Sequence, residues 1–368
     1  MIDIKDKSQC CGCEACAQRC PMGCITMVED DHGFKYPVVD KGRCVDCHMC
    51  ERVCPCLNQQ EATDVISCFA ATHPDGEIRY MSSSGGVFTA LAERVIGNGG
   101  VVFGARYNEK WEVVHDFAQT TDGLSAFRGS KYVQSVMGDS FVRTEEFLKQ
   151  GREVLFTGTP CQIAGLKLFL GKDYPNLVAV EVACHGVPSP GVWRTHLQGR
   201  QDVTVVNFRD KSTGWRNYSV LIGKKKKHHD DDDFMKCFLT NHSTRQSCFA
   251  CPAKQGKSGA DILLADLWGI KAFPALDDDN KGTSAVMVYS NRGLDLLQQC
   301  GIALASVDAG MVIKHNPSIS KSARRPDDYD LFWEKYVKSP RWTLKRYGSL
   351  SWSSILLRIK KMMRRLMR

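Results

Sequence analysis

Residues 153–170 read EVLFTGTPCQIAGLKLFL. Val154–Phe156 is a short apolar run of the kind a buried strand carries. Gly158, Thr159 and Pro160 break it, and Ile163–Leu170 then places apolar residues at helical spacing. Strand, corner and helix in this order form the repeating unit of an α/β layer fold. Cys161 sits at the corner. On this stretch alone it reads as a core thiol, a nucleophile or a metal ligand.

The same alternation extends outward, with helical spacing over Phe141–Gln150 and a further apolar strand over Leu177–Ala183. GGVVFGARYN (99–108) and EVVHDFAQ (112–119) read as paired strands. VTVVNFRDK (203–211) and NYSVLIGKK (217–225) read as an antiparallel hairpin added to the same sheet. The expected fold class is therefore α/β of the mixed α+β kind, with a mixed sheet.

Charge narrows the function classes. The net charge of the 368 residues is +8, but the last 34 carry eleven Lys and Arg and no acid. Removing those eleven charges leaves the body near −3. A nucleic-acid groove needs basic residues on the folded body, so nucleic acid is not an expected partner. The chain has no run of eighteen apolar residues to span a membrane, and MIDIKDKSQC has no apolar signal core. A cytoplasmic protein is expected.

Eighteen cysteines, eleven of them in the first 56 residues, point to metal in a reducing compartment. CCGCEACAQRCP (10–21) and CVDCHMCERVCP (44–55) both follow Cys-x2-Cys-x2-Cys-x3-Cys-Pro, the bacterial ferredoxin run. Three close thiolates converge on one cubane, and the fourth reaches the other. Cys10, Cys13, Cys16 and Cys54 are thus expected on one [4Fe–4S] cluster. Cys44, Cys47, Cys50 and Cys20 are expected on the second. Between the motifs, ITMVEDDHGFKYPVVD (25–40) reads as a hairpin turning at Asp31–Gly33. So small a module needs its clusters as staples. Cys11, Cys24 and Cys56 fall outside the pattern and read as packing residues around the clusters.

After a polar linker at 57–64, VISCFAAT (65–72) reads as a strand. In SSSGGVFTALAERVIG (82–97), the serines can cap a helix and Gly85 and Gly86 allow close backbone approach. Exposed amides at a helix start suit an anion such as a pyrophosphate; a plain turn is the competing reading. Lys131, in AFRGSKYVQS (126–135), can meet a phosphate or a flavin ring, or be a surface lysine. Cys161 and Cys184 both follow apolar strands. Parallel strands would bring them to one sheet edge, where sites of such sheets lie. Cys248 and Cys251 form a Cys-x2-Cys in TRQSCFACPAK (244–254). Together these four make a plausible thiolate site, with zinc the rival occupant. Cys68, Cys237 and Cys300 read as packing thiols.

The ordered set SSGG, RGSKY, GTPCQ, CHG, Cys-x2-Cys and ADILLADLWGI (260–270) resembles the coenzyme F-420 hydrogenase/dehydrogenase beta-subunit family, here behind a dicluster ferredoxin domain. The resemblance covers residues 1 to about 320. It implies three units: a dicluster domain (1–60), a flavin and iron–sulfur catalytic domain (64–335) and a basic amphipathic tail (336–368). It implies FAD against Ser84, Gly85, Gly86, Gly129, Ser130 and Lys131. It also implies a third [4Fe–4S] cluster on Cys161, Cys184, Cys248 and Cys251. His185 is then a candidate proton donor beside the flavin, with a structural histidine as the plainer reading. Asp266 is a weaker candidate. An external redox carrier, such as a ferredoxin or a reductase, is the expected partner. Similar chains occur in bacterial exopolysaccharide gene clusters, which suggests an acceptor in surface-polysaccharide metabolism.

GKKKKHHDDDDF (223–234) reads as a solvated charge block, with His228 and His229 as a remote metal alternative. In SILLRIKKMMRRLMR (354–368) apolar and basic residues separate onto two helical faces. Such a segment docks on an anionic membrane surface or an acidic partner, or is a disordered end; on the first reading the protein is peripheral on the inner face of the cytoplasmic membrane. Three functions are compatible with these features: a flavin and iron–sulfur oxidoreductase, a non-catalytic electron relay, and a zinc-stapled scaffold.

Overall fold

The computed structural model describes residues 1–349; the segment 355–368 read above as amphipathic lies outside them. The N-terminal module contains helix α1 (Ala15–Arg19), the antiparallel hairpin β1 (Ile25–Glu29) and β2 (Lys35–Val39), and helix α2 (Met49–Arg52). Its two halves match in backbone as well as sequence. Glu14 and His48, each following the second cysteine of its motif, both take positive φ (63° and 59°), a rare conformation outside glycine.

The body begins with β3 (Ser67–Thr72), α3 (Gly76–Met81), α4 (Val87–Gly97), β4 (Val101–Tyr107), β5 (Val113–Ala118) and α5 (Ser140–Lys149). The quoted stretch follows as β6 (Val154–Gly158) and α6 (Pro160–Leu170), then β7 (Leu177–Val182) and α7 (Pro190–Leu197). Next come β8 (Val206–Asp210), β9 (Ser219–Ile222), β10 (Lys225–His228), α8 (Asp233–Leu239), β11 (Ile262–Asp266) and β12 (Ser284–Val288). The chain continues through α9 (Asn291–Gln298), β13 (Ala303–Ser306), α10 (Ala309–His315), α11 (Tyr329–Lys338) and α12 (Pro340–Gly348).

Eight strands form one mixed sheet in the order β13-β3-β12-β11-β7-β6-β4-β5. Its centre is parallel: β4 with β6, β6 with β7, and β7 with β11. Both faces of that centre are covered, which is why its strands read as unbroken apolar runs. Val154, Phe156, Leu177 and Ala179 pack under α5 and α6, while Leu155, Val178 and Val180 pack under α4 and α9. The 203–225 hairpin does not join this sheet. It forms a separate three-stranded sheet, β10-β9-β8.

That smaller sheet packs with α7, α8 and α11 around Trp193, Phe208, Phe234 and Phe332. Helix α11 runs unbroken across residue 336 and α12 packs on α8, so residues 336–348 belong to the body. The 223–234 block is more structured than a solvated loop: Lys225–His228 pair with β9, and buried Asp232 caps α8 while pairing with buried His196 at 3.1 Å. The N-terminal module is wedged into the body. Phe34 and Tyr36 enter the core of the small sheet, and Cys11, Cys13, Ala15 and Val53 enter the core beneath α6.

Candidate functional site: two cysteine centres, a third thiol cluster and a shared pocket

Four of the expected ligands, drawn from both ferredoxin motifs, line one small cavity. Cys20 of the first motif joins Cys44, Cys47 and Cys50 of the second around one cavity of about 20 Å³, closed by Met22, Ile25, Val39 and Val45. In the first set, Cys10 lies in the field of Cys13, and Cys16 in that of Cys13 and Cys10; Cys54, from the second motif, contacts Cys56 and then feels burial, with Cys13 a lesser neighbour. Burial pushes the Cys10 and Cys16 thiols up. Cys11 is more than filler: its thiol contacts those of Cys13, Cys161 and Cys56, joining the first set to the body.

Cys161 owes its position to the start of α6. Thr159 is the N-cap, Pro160 occupies the first helical turn, and Thr159 and Gln162 form a reciprocal capping box. Contact with Cys11 lowers the Cys161 thiol to about 7 against the effect of burial, with Thr159 assisting. Strands β6 and β7 are parallel, with Gly158 opposite Glu181, so Cys161 and Cys184 emerge at one sheet edge. Cys248 and Cys251 approach from the turn Gln246–Ala250. Lys254 fixes the Cys184 loop by donating to its carbonyl at 2.6 Å. Burial raises Cys248 first, and Cys184, Cys161 and Cys251 raise it further, so the four thiols share one electrostatic neighbourhood. Among the described residues, no three cysteine sulfurs lie within 4.8 Å of one another.

A cavity of about 290 Å³ opens beside these thiols, at the lower edge of the range for small-molecule sites, roughly 300–1,000 Å³. Its floor is the carboxyl ends of the parallel strands: Ala105, Thr157, Val182 and Leu264. Ser84, Gly86, Gly129, Ser130 and Lys131 stand in its walls, as do Cys184 and His185. The two glycine turns are clamped together: Ser83 Oγ accepts from the Ser130 amide at 2.6 Å and hydroxyl at 2.9 Å. Gly85 is the exception among the expected residues. It lies behind the wall, where a Cβ would collide with the Ala71 carbonyl oxygen, and its amide donates to Ser284 Oγ. Gly129 has φ +80° and open space where a Cβ would stand. Apolar Val87, Phe88, Val182 and Leu264 beside these turns suit a flat ring with a polar rim.

Lys131 Nζ donates to the Ala126 and Arg128 carbonyls, both at 2.9 Å. Burial pulls its pKa down to about 7, and the two carbonyls favour the charged form. His185 is open to the cavity yet ringed by protein. That enclosure and then Lys254 hold it below its ordinary value, with Asp266 opposing, so its imidazole is neutral near pH 7. Asp266, also in the wall, is tied to Arg209 at 3.1 Å, and Trp268 stacks on Trp215 at 4.3 Å. Sequence patterns missed His115, whose ring bridges Ser135 Oγ (2.9 Å) and the Thr157 carbonyl (3.0 Å) in the pocket wall. Burial lowers it to about 4. A single histidine inside a strand carries no sequence signal of that role. His228, His229 and Asp230 do cluster, but both His228 nitrogens are engaged, one with Asn217 and one with the Asp230 amide.

Residues 9–58 match the family model of a 4Fe-4S dicluster domain. Residues 68–142 match the coenzyme F420 hydrogenase/dehydrogenase beta-subunit N-terminal model, and residues 151–306 its C-terminal model. No curated protein matches the chain. Among solved structures, a chain of the F420-reducing [NiFe] hydrogenase complex from Methanosarcina barkeri, studied as a xenon derivative, is similar at 15% identity and a TM-score of 0.48. That similarity covers 77% of this chain and 91% of that one. The chain belongs to the coenzyme F420 hydrogenase/dehydrogenase beta-subunit family and carries a 4Fe-4S dicluster domain ahead of it.

Proposed function

We propose that this iron–sulfur electron-transfer protein is a flavin-dependent oxidoreductase with a third [4Fe–4S] cluster on Cys161, Cys184, Cys248 and Cys251. One observation carries the reading: Cys184 and His185, adjacent on the loop after β7, stand in the wall of the pocket. The thiol site and the pocket thus share a single loop. A bound FAD would convert single electrons into a hydride, chemistry that clusters cannot perform. The chain's part is placement. Ser84, Gly86, Gly129 and Ser130 present polar groups to the ring's edge, and Val87, Phe88 and Leu264 exclude water from its face. Gly85 supports the turn from behind. Lys131, near neutrality, is the better proton source, and neutral His185 offers one N–H.

Electrons enter or leave through the N-terminal centres and an external carrier, such as a ferredoxin or a reductase. Cys47 is exposed, which puts the second set nearest that carrier. By the resemblance, the acceptor belongs to surface-polysaccharide or other cell-envelope metabolism. No helix among the described residues is long and apolar enough to cross a membrane. The basic sequence after residue 350 is the proposed contact with an anionic membrane. Deleting residues 350–368 should abolish binding to anionic vesicles, and binding that persists removes the tail as anchor.

The test of function is reduction of a small-molecule acceptor by the isolated, flavin-loaded protein. Flavin reduction with no turnover of any acceptor until a partner enzyme is added identifies a relay instead. Zinc without flavin in the purified protein identifies the zinc-stapled scaffold.

A further inference from the structure

Arg245 is fully buried, with 0% of its surface exposed. Among the described residues it forms no ion pair; the carboxyl in its field is buried Glu14. Its donors go elsewhere. Nε donates to the Cys10 carbonyl at 2.7 Å, Nη1 to Gln134 Oε1 at 3.0 Å, and Nη2 to the Lys35 carbonyl at 3.0 Å. Nη2 also points at Cys10 Sγ, 3.5 Å away. The guanidinium lies over the Tyr36 ring at 4.2 Å and faces Phe34 at 5.2 Å. Gly12, at φ +70°, makes room: a Cβ there would come within 2.8 Å of Nη1. Gln134 completes the clamp by donating to the Cys11 carbonyl at 3.1 Å.

Carbonyls and ring faces satisfy the donors of a guanidinium but do not neutralise it, and a buried charge without a counter-charge is costly. The groups that act most strongly on it are Cys10, whose Sγ Nη2 faces, then the Tyr36 phenol, Cys11 and Cys248; the buried Glu14 carboxyl, itself raised by burial, also lies in its field. A cubane with four thiolate ligands is a dianion when oxidised and gains another negative charge on reduction. Arg245 would meet both states, and the more negative one more strongly. Charge and hydrogen bonds at the ligand sulfur are the levers by which a protein sets a cluster potential.

We propose that Arg245 is a positioning residue that raises the reduction potential of the cluster held by Cys10, making the N-terminal cluster nearest the body the electron sink of the pair. The residue is reached from the body side: its own amide donates to the Val187 carbonyl, and its carbonyl accepts from Cys248. One residue thereby joins the ferredoxin module to the loop carrying two ligands of the third site. The inference rests on the assignment of Cys10 to a cluster.

The test is a redox titration of the full-length protein, purified anaerobically and followed by electron paramagnetic resonance, with iron counted in each sample. Arg245→Gln should keep its iron and move one N-terminal midpoint by at least 59 mV to the negative, a tenfold change in a one-electron equilibrium. Arg245→Lys, which keeps the charge but loses the fork, should move it less. Full iron with unmoved midpoints in the glutamine variant overturns the proposal. If that variant loses iron, the lysine variant decides: a negative shift with iron retained supports tuning. An unmoved midpoint, or loss of iron in both variants, leaves Arg245 a purely structural bolt. Fewer than about eight irons in the wild-type protein would instead defeat the cluster assignment.

Discussion

Cys161 shows how far one residue can be read. Its place after a strand and a Thr-Pro corner is legible, and so is its pairing with Cys184, because parallel strands end together. Its contact with Cys11 is not legible, because no local pattern links residues 150 positions apart. Arg245 and His115 were hidden for the same reason: their roles come from tertiary neighbours. Cys161→Ser should remove about four irons and leave the dicluster signals in place, measured by iron assay and electron paramagnetic resonance. An unchanged iron count would remove the third cluster.

Glu181, beneath the same loop, gives a test in pH. Burial raises its carboxyl from 4.5 to about 7, with Ser258 and Lys254 opposing. The folded protein therefore holds it protonated below neutrality, whereas the unfolded chain ionises it near 4.5. Stability contributed by the neutral form is complete below about pH 4.5 and is lost as pH rises towards 7. The span corresponds to about 3 kcal/mol. Glu181→Gln should remove that slope, seen as a denaturation midpoint that changes less between pH 5 and pH 8 than in the wild type. An identical slope in the variant would contradict the account.

At the scale of elements, the strand–helix units around β6 and β7 were readable from apolar runs and from the break at Gly158, Thr159 and Pro160; the Thr159–Gln162 capping box was not. Strand partnership was not. β11 lies beside β7 although some eighty residues separate them, and the 203–225 hairpin went to a sheet of its own. Periodicity tells which face of a strand is buried, not which strand lies next to it. Gly165 on α6 marks a contact of this kind. A Cβ there would stand 3.0 Å from Cys13 Sγ, so the helix lets the first cysteine loop approach as close as it does. Gly165→Leu should force the two apart, lowering stability by about 1–3 kcal/mol. It should also raise protease cleavage in the 57–64 linker while leaving Cys20, Cys44, Cys47 and Cys50 their iron. Unchanged proteolysis and stability would show that the contact is loose.

Across the whole molecule, the dicluster module shares two cores with the body instead of hanging from a linker. A fixed module suits a path from exposed Cys47 inward past Cys10 and Cys161 to the pocket. Cysteine spacing, which records ligation chemistry directly, made the two ferredoxin motifs legible, whereas the onward path to a flavin was implied only by the family resemblance. The size of the pocket and its clamped glycine turns emerge only once the chain is folded. The central claim is that clusters and a flavin share this one chain. The most direct measurement is the iron, acid-labile sulfide, zinc and flavin content of anaerobically purified full-length protein. The account predicts about twelve irons, matching sulfide and one FAD per chain. Zinc in place of iron, or iron with no flavin bound even after incubation with FAD, would contradict it.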